Sequence, residues 1–150
     1  MPQYEISNYA KPGREAQHNL IYWRNEAYLG AGVSAASYTD YQRYVNFYSM
    51  DEYMKRAESG SDPAKDTIET SEVLSPDARA RESLVLELRL RKGVDPQEFS
   101  ERWDVNWEKT FGADLAKYQR QGLMEKLPDG RWRITMNGLP VADGILSEFV

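Results

Sequence analysis

Apolar and polar positions change rhythm near the middle of the chain. Tyr4 to Tyr9 alternates, with Ile6 on one face beside polar Glu5 and Ser7, which predicts a short strand ended by the Lys11-Pro12-Gly13 turn. Arg14 to Asn25 has no clean period, so the segment inside it, His18 to Trp23, is assigned to a loop or short turn. Tyr28 to Tyr38 is dense in small residues: Gly30, Ala31, Gly32, Ser34, Ala35, Ala36 and Ser37. Such density permits close backbone approach, either by a ligand or by a neighbouring strand in a tightly packed sheet. Arg43 to Phe47 is a further strand candidate. Ser49 and Glu52 form a capping box that predicts a helix from Met50 to about Glu58. Gly60 to Asp66, built from Gly, Ser, Asp and Pro, is the best internal boundary.

After that boundary the spacing turns helical. Ser75 caps and Pro76 occupies the first helical position of a helix carrying Leu84, Val85, Leu88 and Arg91, with Gly93 as its stop. Asp95 and Pro96 repeat the start signal for a short helix through Phe99 and Trp103. A longer helix spans roughly Asn106 to Gln121, with Phe111, Leu115 and Tyr118 on one stripe and Gly122 closing it. Leu123 to Leu127, Pro128-Asp129-Gly130 and Arg131 to Thr135 predict a hairpin with an Asp-Gly turn. A last helix begins near Asn137 and carries Ile145, Leu146 and Phe149. The fold class is α+β: short N-terminal strands, then a mostly helical, winged-helix-like C-terminal domain. Residues 1–60 and 61–150 are the expected domains. The stripes, together with Trp103, Trp107 and Trp132, are assigned to the core. Lys109, Lys117, Arg120, Arg131 and Arg133 are assigned to a solvated face around the hairpin.

Composition narrows the chemistry. With 150 residues, 41% hydrophobic and 29% charged, the chain has the size and balance of a globular domain. A net charge of −5 argues against a general polyanion binder. No apolar run approaches the roughly 18 residues needed to cross a bilayer. Met1-Pro2-Gln3-Tyr4-Glu5 lacks the basic and apolar regions of a signal peptide, so a cytoplasmic location is expected. The absence of cysteine excludes disulfides, thiolate zinc sites, a catalytic thiol and cysteine-ligated iron–sulfur clusters within these residues. With one histidine, a multi-histidine metal site is also excluded. Self-sufficient catalysis is not expected.

That histidine, His18, opens the run His18-Asn19-Leu20-Ile21-Tyr22-Trp23, where one imidazole precedes two aromatic rings. Neutral imidazole is a common metal ligand and a standard axial ligand of haem iron. The bare residues equally admit a polar histidine satisfied by backbone or water.

The motif order adds to this reading. Tyr4-Glu5-Ile6-Ser7-Asn8-Tyr9-Ala10, then Pro12-Gly13, then His18-Asn19-x-x-Tyr22-Trp23, resembles the post-barrel region of HemW-type haem chaperones. These are radical-SAM relatives of the oxygen-independent coproporphyrinogen III oxidases. Gly30-x-Gly32-x-x-Ala35-x-Ser37, the Glu82 to Val94 helix and the Gly122-Leu123 hairpin are similar to later parts of the family. The resemblance covers nearly the whole chain, and the His-Asn-x-x-Tyr-Trp hexapeptide is its most specific part. Two features depart from the pattern. Ala36 stands where family members often carry histidine, and the cysteine motif of the preceding cluster-binding domain is absent.

The resemblance implies that residues 1–60 correspond to a barrel edge and post-barrel segment, and 61–150 to a HemN-type C-terminal domain. It implies haem as the bound group, with His18 as axial ligand, Asn19 steadying the loop or the imidazole, and Tyr22 and Trp23 either covering the porphyrin or anchoring the loop in the core. Arg14, Arg24 and Arg43 are candidates for pairing with propionates. The [4Fe-4S] cluster and SAM belong to full-length relatives, not to this chain. The expected partners are haem and a haem-accepting client protein, without a nucleic acid or a membrane-spanning segment. An unpaired edge at Tyr4 to Tyr9 would invite a homodimer. Two alternatives stand beside haem trafficking. One is an accessory domain of coproporphyrinogen III oxidase in porphyrin biosynthesis. The other is a winged-helix nucleic-acid-binding module using Lys117, Arg120, Arg131 and Arg133.

Overall fold

The computed structural model describes residues 1–150 and divides into two compact units, Met1–Asn25 with Pro76–Val150, and Glu26–Ser75. The divisions fall at 25/26 and 75/76, so Gly60–Asp66, the expected boundary, lies inside the second unit.

The unit of residues 26–75 is built on a three-stranded antiparallel sheet: β1 (Ala36–Thr39), β2 (Gln42–Asn46) and β3 (Ile68–Val73), in the order β1-β2-β3. The β1–β2 turn is Asp40-Tyr41, both at positive φ (49° and 62°), as a two-residue type I′ hairpin requires. Between β2 and β3 run α2 (Met50–Ser59) and the one-turn α3 (Pro63–Asp66). The Ser49 side chain accepts from the Glu52 amide at 3.4 Å, so the expected cap starts α2. β3 is a strand the pattern did not predict. Glu69 to Val73 are all exposed, and the strand is held by its ladder with β2 rather than by a buried face.

The small-residue stretch folds back on itself. Tyr28 bridges Tyr38, and the Gly30 amide donates to Ser37 Oγ at 3.0 Å. A Cβ on Gly30 would lie 2.2 Å from the Ala36 carbonyl oxygen. Backbone packs closely on backbone at Gly30, and Gly30, Ala31 and Ser37 also line a cavity of about 650 Å³.

The other unit contains α1 (Gln17–Trp23), α4 (Pro76–Glu87), α5 (Pro96–Trp103), α6 (Trp107–Arg120), the hairpin β4 (Met124–Lys126) and β5 (Trp132–Ile134), and a C-terminal run in which α7 (Ala142–Leu146) sits between two 3-10 turns. Caps set the starts. Asp95 Oδ1 accepts from the Gln97 and Glu98 amides at 2.9 and 3.2 Å, and Asn106 Oδ1 accepts from the Lys109 amide at 3.0 Å. Gly130, at φ 89°, turns the hairpin. Gly93 has a different role from the stop expected of it. α4 ends at Glu87, and a Cβ on Gly93 would meet the Trp132 carbonyl at 2.7 Å, so glycine permits the Val94–Trp132 bridge.

The core of this unit is the expected one. Leu84, Phe111, Leu115, Ile134 and Phe149 are fully buried, and Trp103, Trp107 and Trp132 are buried beside them. Each large side chain removed from water contributes roughly 2 kcal/mol. Phe99, Trp107 and Phe111 add edge-on contacts, with centroids 5.4 to 5.9 Å apart.

The N-terminal strand is not formed as expected. Tyr4 donates to the Asn8 carbonyl at 3.1 Å, closing a turn, and only isolated bridges form. The segment pairs with the chain after α4: Ile6 donates to the Arg89 carbonyl and Arg91 to the Tyr4 carbonyl. Its edge is therefore occupied within this unit. Glu5, rather than Ile6, is the fully buried side chain, with Asn8 donating to it.

Candidate functional site

His18 to Trp23 is not a loop but most of α1, a helix of seven residues. Neither terminus advertises it. Ala16 at the N-cap offers no side-chain bond, and the first turn has no acidic residue. At the far end Asn25, left-handed at φ 48°, terminates the helix and donates its own amide N–H to the Tyr22 carbonyl.

Helical geometry separates the hexapeptide into two faces, because residues four apart stack while neighbours diverge by about 100°. His18 and Tyr22 share the outer face. His18 is exposed, no hydrogen bond ties its nitrogens, and its ring meets Tyr22 edge-on at 4.7 Å with an 82° interplanar angle. Leu20 turns into the body of the unit and is buried there, while Asn19 is half-buried between the two faces. Trp23 is half-buried, and the Arg89 guanidinium lies over its ring, 4.8 Å from the centroid. Trp23 thus takes the anchoring alternative rather than joining His18 and Tyr22. Asn19 makes no hydrogen bond to the imidazole and lies a quarter-turn from it. A loop would have let the four side chains converge; the helix brings only two together.

Three tethers hold α1 and its exit to α4, α5 and the segment between them, and none was legible in the sequence. Asn25 Nδ2 donates to Ser83 Oγ at 2.7 Å in the interior. Arg89 covers Trp23. Arg102 Nη2 donates to the carbonyls of Arg24 and Asn25 at 2.7 and 3.2 Å, while its Nη1 pairs with Glu87 Oε1 at 3.1 Å. Only the helix stop at Asn25, an asparagine two residues past Trp23, was readable in principle.

Glu87 is the most perturbed group in the cluster. Burial pushes its carboxyl from 4.5 to about 7, against the opposing pull of Arg102 and a hydrogen bond from Trp103. A cavity of about 460 Å³ runs along α1, lined in part by Gln17, Leu20, Arg24, Arg91 and Lys92. Of the propionate candidates, Arg14 and Arg24 are exposed, and Arg43 lies on β2 in the other unit, 3.8 Å from Glu72.

The basic face expected around the hairpin is only partly present. Arg131 is drawn in, with its side chain 17% exposed, and pairs with Asp95, Glu98 and Asp129 at 3.4 to 3.7 Å. Arg133 pairs with Glu125 at 2.8 Å, and Lys117 with Glu148. These acids neutralise the cations on which nucleic-acid binding would depend. No group of three or more His, Asp and Glu side chains converges for a metal ion, and no helix is long and apolar enough to cross a membrane.

Residues 74–141 match the HemN C-terminal domain family. Over 149 residues the chain is 33% identical to "Heme chaperone HemW" of Lactococcus lactis, covering 98% of this chain and 37% of that protein. It is 34% identical over 122 residues to the protein of the same name from Bacillus subtilis, covering 81% and 31%. Coproporphyrinogen III oxidase (HemN) from Escherichia coli, described as a radical SAM enzyme, superposes with a TM-score of 0.69 at 18% identity, over 97% of this chain and 37% of that one. The chain spans about a third of the length of the curated relatives it matches.

Proposed function

Because the chain belongs to the HemW/HemN family, we propose that it takes up haem as cargo, with His18 as the iron ligand. The observation carrying this reading is the state of that side chain. It is exposed, its nitrogens are unengaged, and its ring meets the edge of Tyr22. It projects from a helix whose other face carries the packing.

A neutral ring nitrogen of His18 would donate its lone pair to the iron, and the Tyr22 ring would meet the macrocycle beside it. Trp23, packed against Arg89, would act on the helix rather than on the porphyrin. A single protein ligand on an exposed face would hold haem in a way that lets a client protein with its own donor take it over, which suits delivery better than permanent retention.

Titrating the chain with hemin and following Soret absorbance tests the assignment. His18→Ala, at an exposed position, leaves the fold intact and weakens binding by roughly a hundredfold, equivalent to about 3 kcal/mol. A titration of the variant that overlays the wild type removes His18 as ligand.

A further inference from the structure

A helix of seven residues without an N-cap bond does not hold its own orientation, since isolated helices of this length are marginal in water. The direction in which His18 points is therefore decided by what grips α1 elsewhere. The grip is at the carboxyl end. There the backbone carbonyls of Arg24, at the C-cap, and of Asn25, just beyond it, have no helical partners ahead of them.

Arg102 meets both carbonyls with one guanidinium nitrogen, at 2.7 and 3.2 Å. It reaches across 78 residues of sequence from α5 to do so. Its planar group is itself oriented, with Nη1 on Glu87 at 3.1 Å and the Trp103 ring beneath it at 4.7 Å. A fork fixed on two sides and donating on the third transmits the rigid α4–α5 corner to the end of α1. The cavity of about 190 Å³ lined in part by Arg24, Glu87 and Arg102 leaves space at this corner, so the side chains, not close packing, make the connection.

We propose that Arg102, aimed by Glu87, is the positioning residue of the haem site: by clasping the exit of α1 it fixes the helix that presents His18. This rests on the haem reading above. Arg102 does not touch the ligand. It removes the rocking of α1 that binding would otherwise have to arrest, so its loss lowers affinity without changing which atom binds the iron.

The experiment compares the wild-type chain with Arg102→Met, Arg102→Lys and His18→Ala. Hemin affinity is read from the Soret titration, and amide exchange is followed for α1 against α6. In Arg102→Met, hemin affinity falls about tenfold, as is typical when a partner that orients a ligand is removed. The Soret position at saturation stays that of the wild type, and exchange accelerates in α1 alone. Arg102→Lys, which keeps the charge but not the fork, falls between, and serves in place of the methionine variant if that one does not fold.

Wild-type affinity in Arg102→Met, with His18→Ala defective, overturns this inference and leaves the haem reading standing. Protection lost equally in α6 also overturns it, because Arg102 would then be a general stabiliser. Wild-type affinity in His18→Ala overturns the haem reading and this inference with it.

Discussion

Glu87 closes α4 with its side chain 18% exposed, and its ion pair with Arg102 does not compensate for what burial costs. A carboxylate in that position lacks most of its water. One guanidinium, itself 40% exposed, returns only part of the lost solvation. The carboxyl consequently titrates near 7 in the fold, against 4.5 ordinarily. Between those values the folded chain holds a proton that the unfolded chain has released, so stability falls as pH rises through the window. Two and a half pH units at about 1.4 kcal/mol each make the loss on the order of 3 kcal/mol by pH 8. Glu87→Gln isolates the effect. Near pH 4 the wild type carries a neutral carboxyl of almost the same shape, so the two proteins unfold at the same urea concentration. At pH 8 the glutamine variant is the more stable, by on the order of 3 kcal/mol. Taking the difference between variant and wild type at each pH cancels every other titrating group. Urea unfolding followed by tryptophan fluorescence supplies the four numbers. Equal stability at pH 8, or a less stable variant, would mean that the Arg102 pair outweighs desolvation and that the reasoning is wrong.

The parts of the fold that could be read in advance are those in which a side chain acts on the backbone within four residues of itself. Asp95 and Ser49 cap the helices they were expected to cap, Asn106 caps the helix expected to begin there, and Gly130 turns the hairpin. The stripe of Phe111, Leu115 and Tyr118 is buried because its spacing already placed it on one face. What escaped depends on distant partners. α1 has one buried residue, Leu20, and no cap, and its tethers at Ser83 and Arg102 lie 58 and 78 residues away. β3 has no buried alternation to detect, since Glu69, Thr70, Ser71, Glu72 and Val73 are exposed and the ladder with β2 is backbone chemistry. Tyr4 to Tyr9 alternates as a strand should, yet the Asn8 side chain and the turn at Ser7 bury Glu5 and leave only isolated bridges.

The same division runs through the candidate site. His18 drew attention because histidine occurs once and opens a hexapeptide with two aromatic residues. That His18 and Tyr22 share one face while Trp23 packs against Arg89 required knowing that the hexapeptide is helical. Four residues on a loop are a cluster, whereas four on a helix are two faces.

Two glycines in the C-terminal third test the packing from opposite sides. Gly138 lies where a Cβ would stand 2.2 Å from the Leu123 carbonyl oxygen and 2.7 Å from Ile134 Cγ2. One neighbour is backbone and the other fully buried core, so neither can give way. Gly138→Ala therefore lowers the stability read from urea unfolding by about 2 kcal/mol or more, and an unchanged midpoint would show the C-terminal turn to be looser than its contacts imply. Gly144 is the converse case, sitting inside α7 with nothing within 4 Å of a Cβ. Alanine there loses less backbone freedom on folding and meets no obstacle, so Gly144→Ala raises stability by about 0.5 to 1 kcal/mol. The sign is what matters. Ile145 and Leu146 beside it are buried, so α7 melts with the core rather than separately. A stabilisation confined to helix propensity must then appear in the global unfolding transition. If far-UV signal increases while the midpoint stays where it was, α7 frays independently of the core and the cooperative unit ends before residue 142.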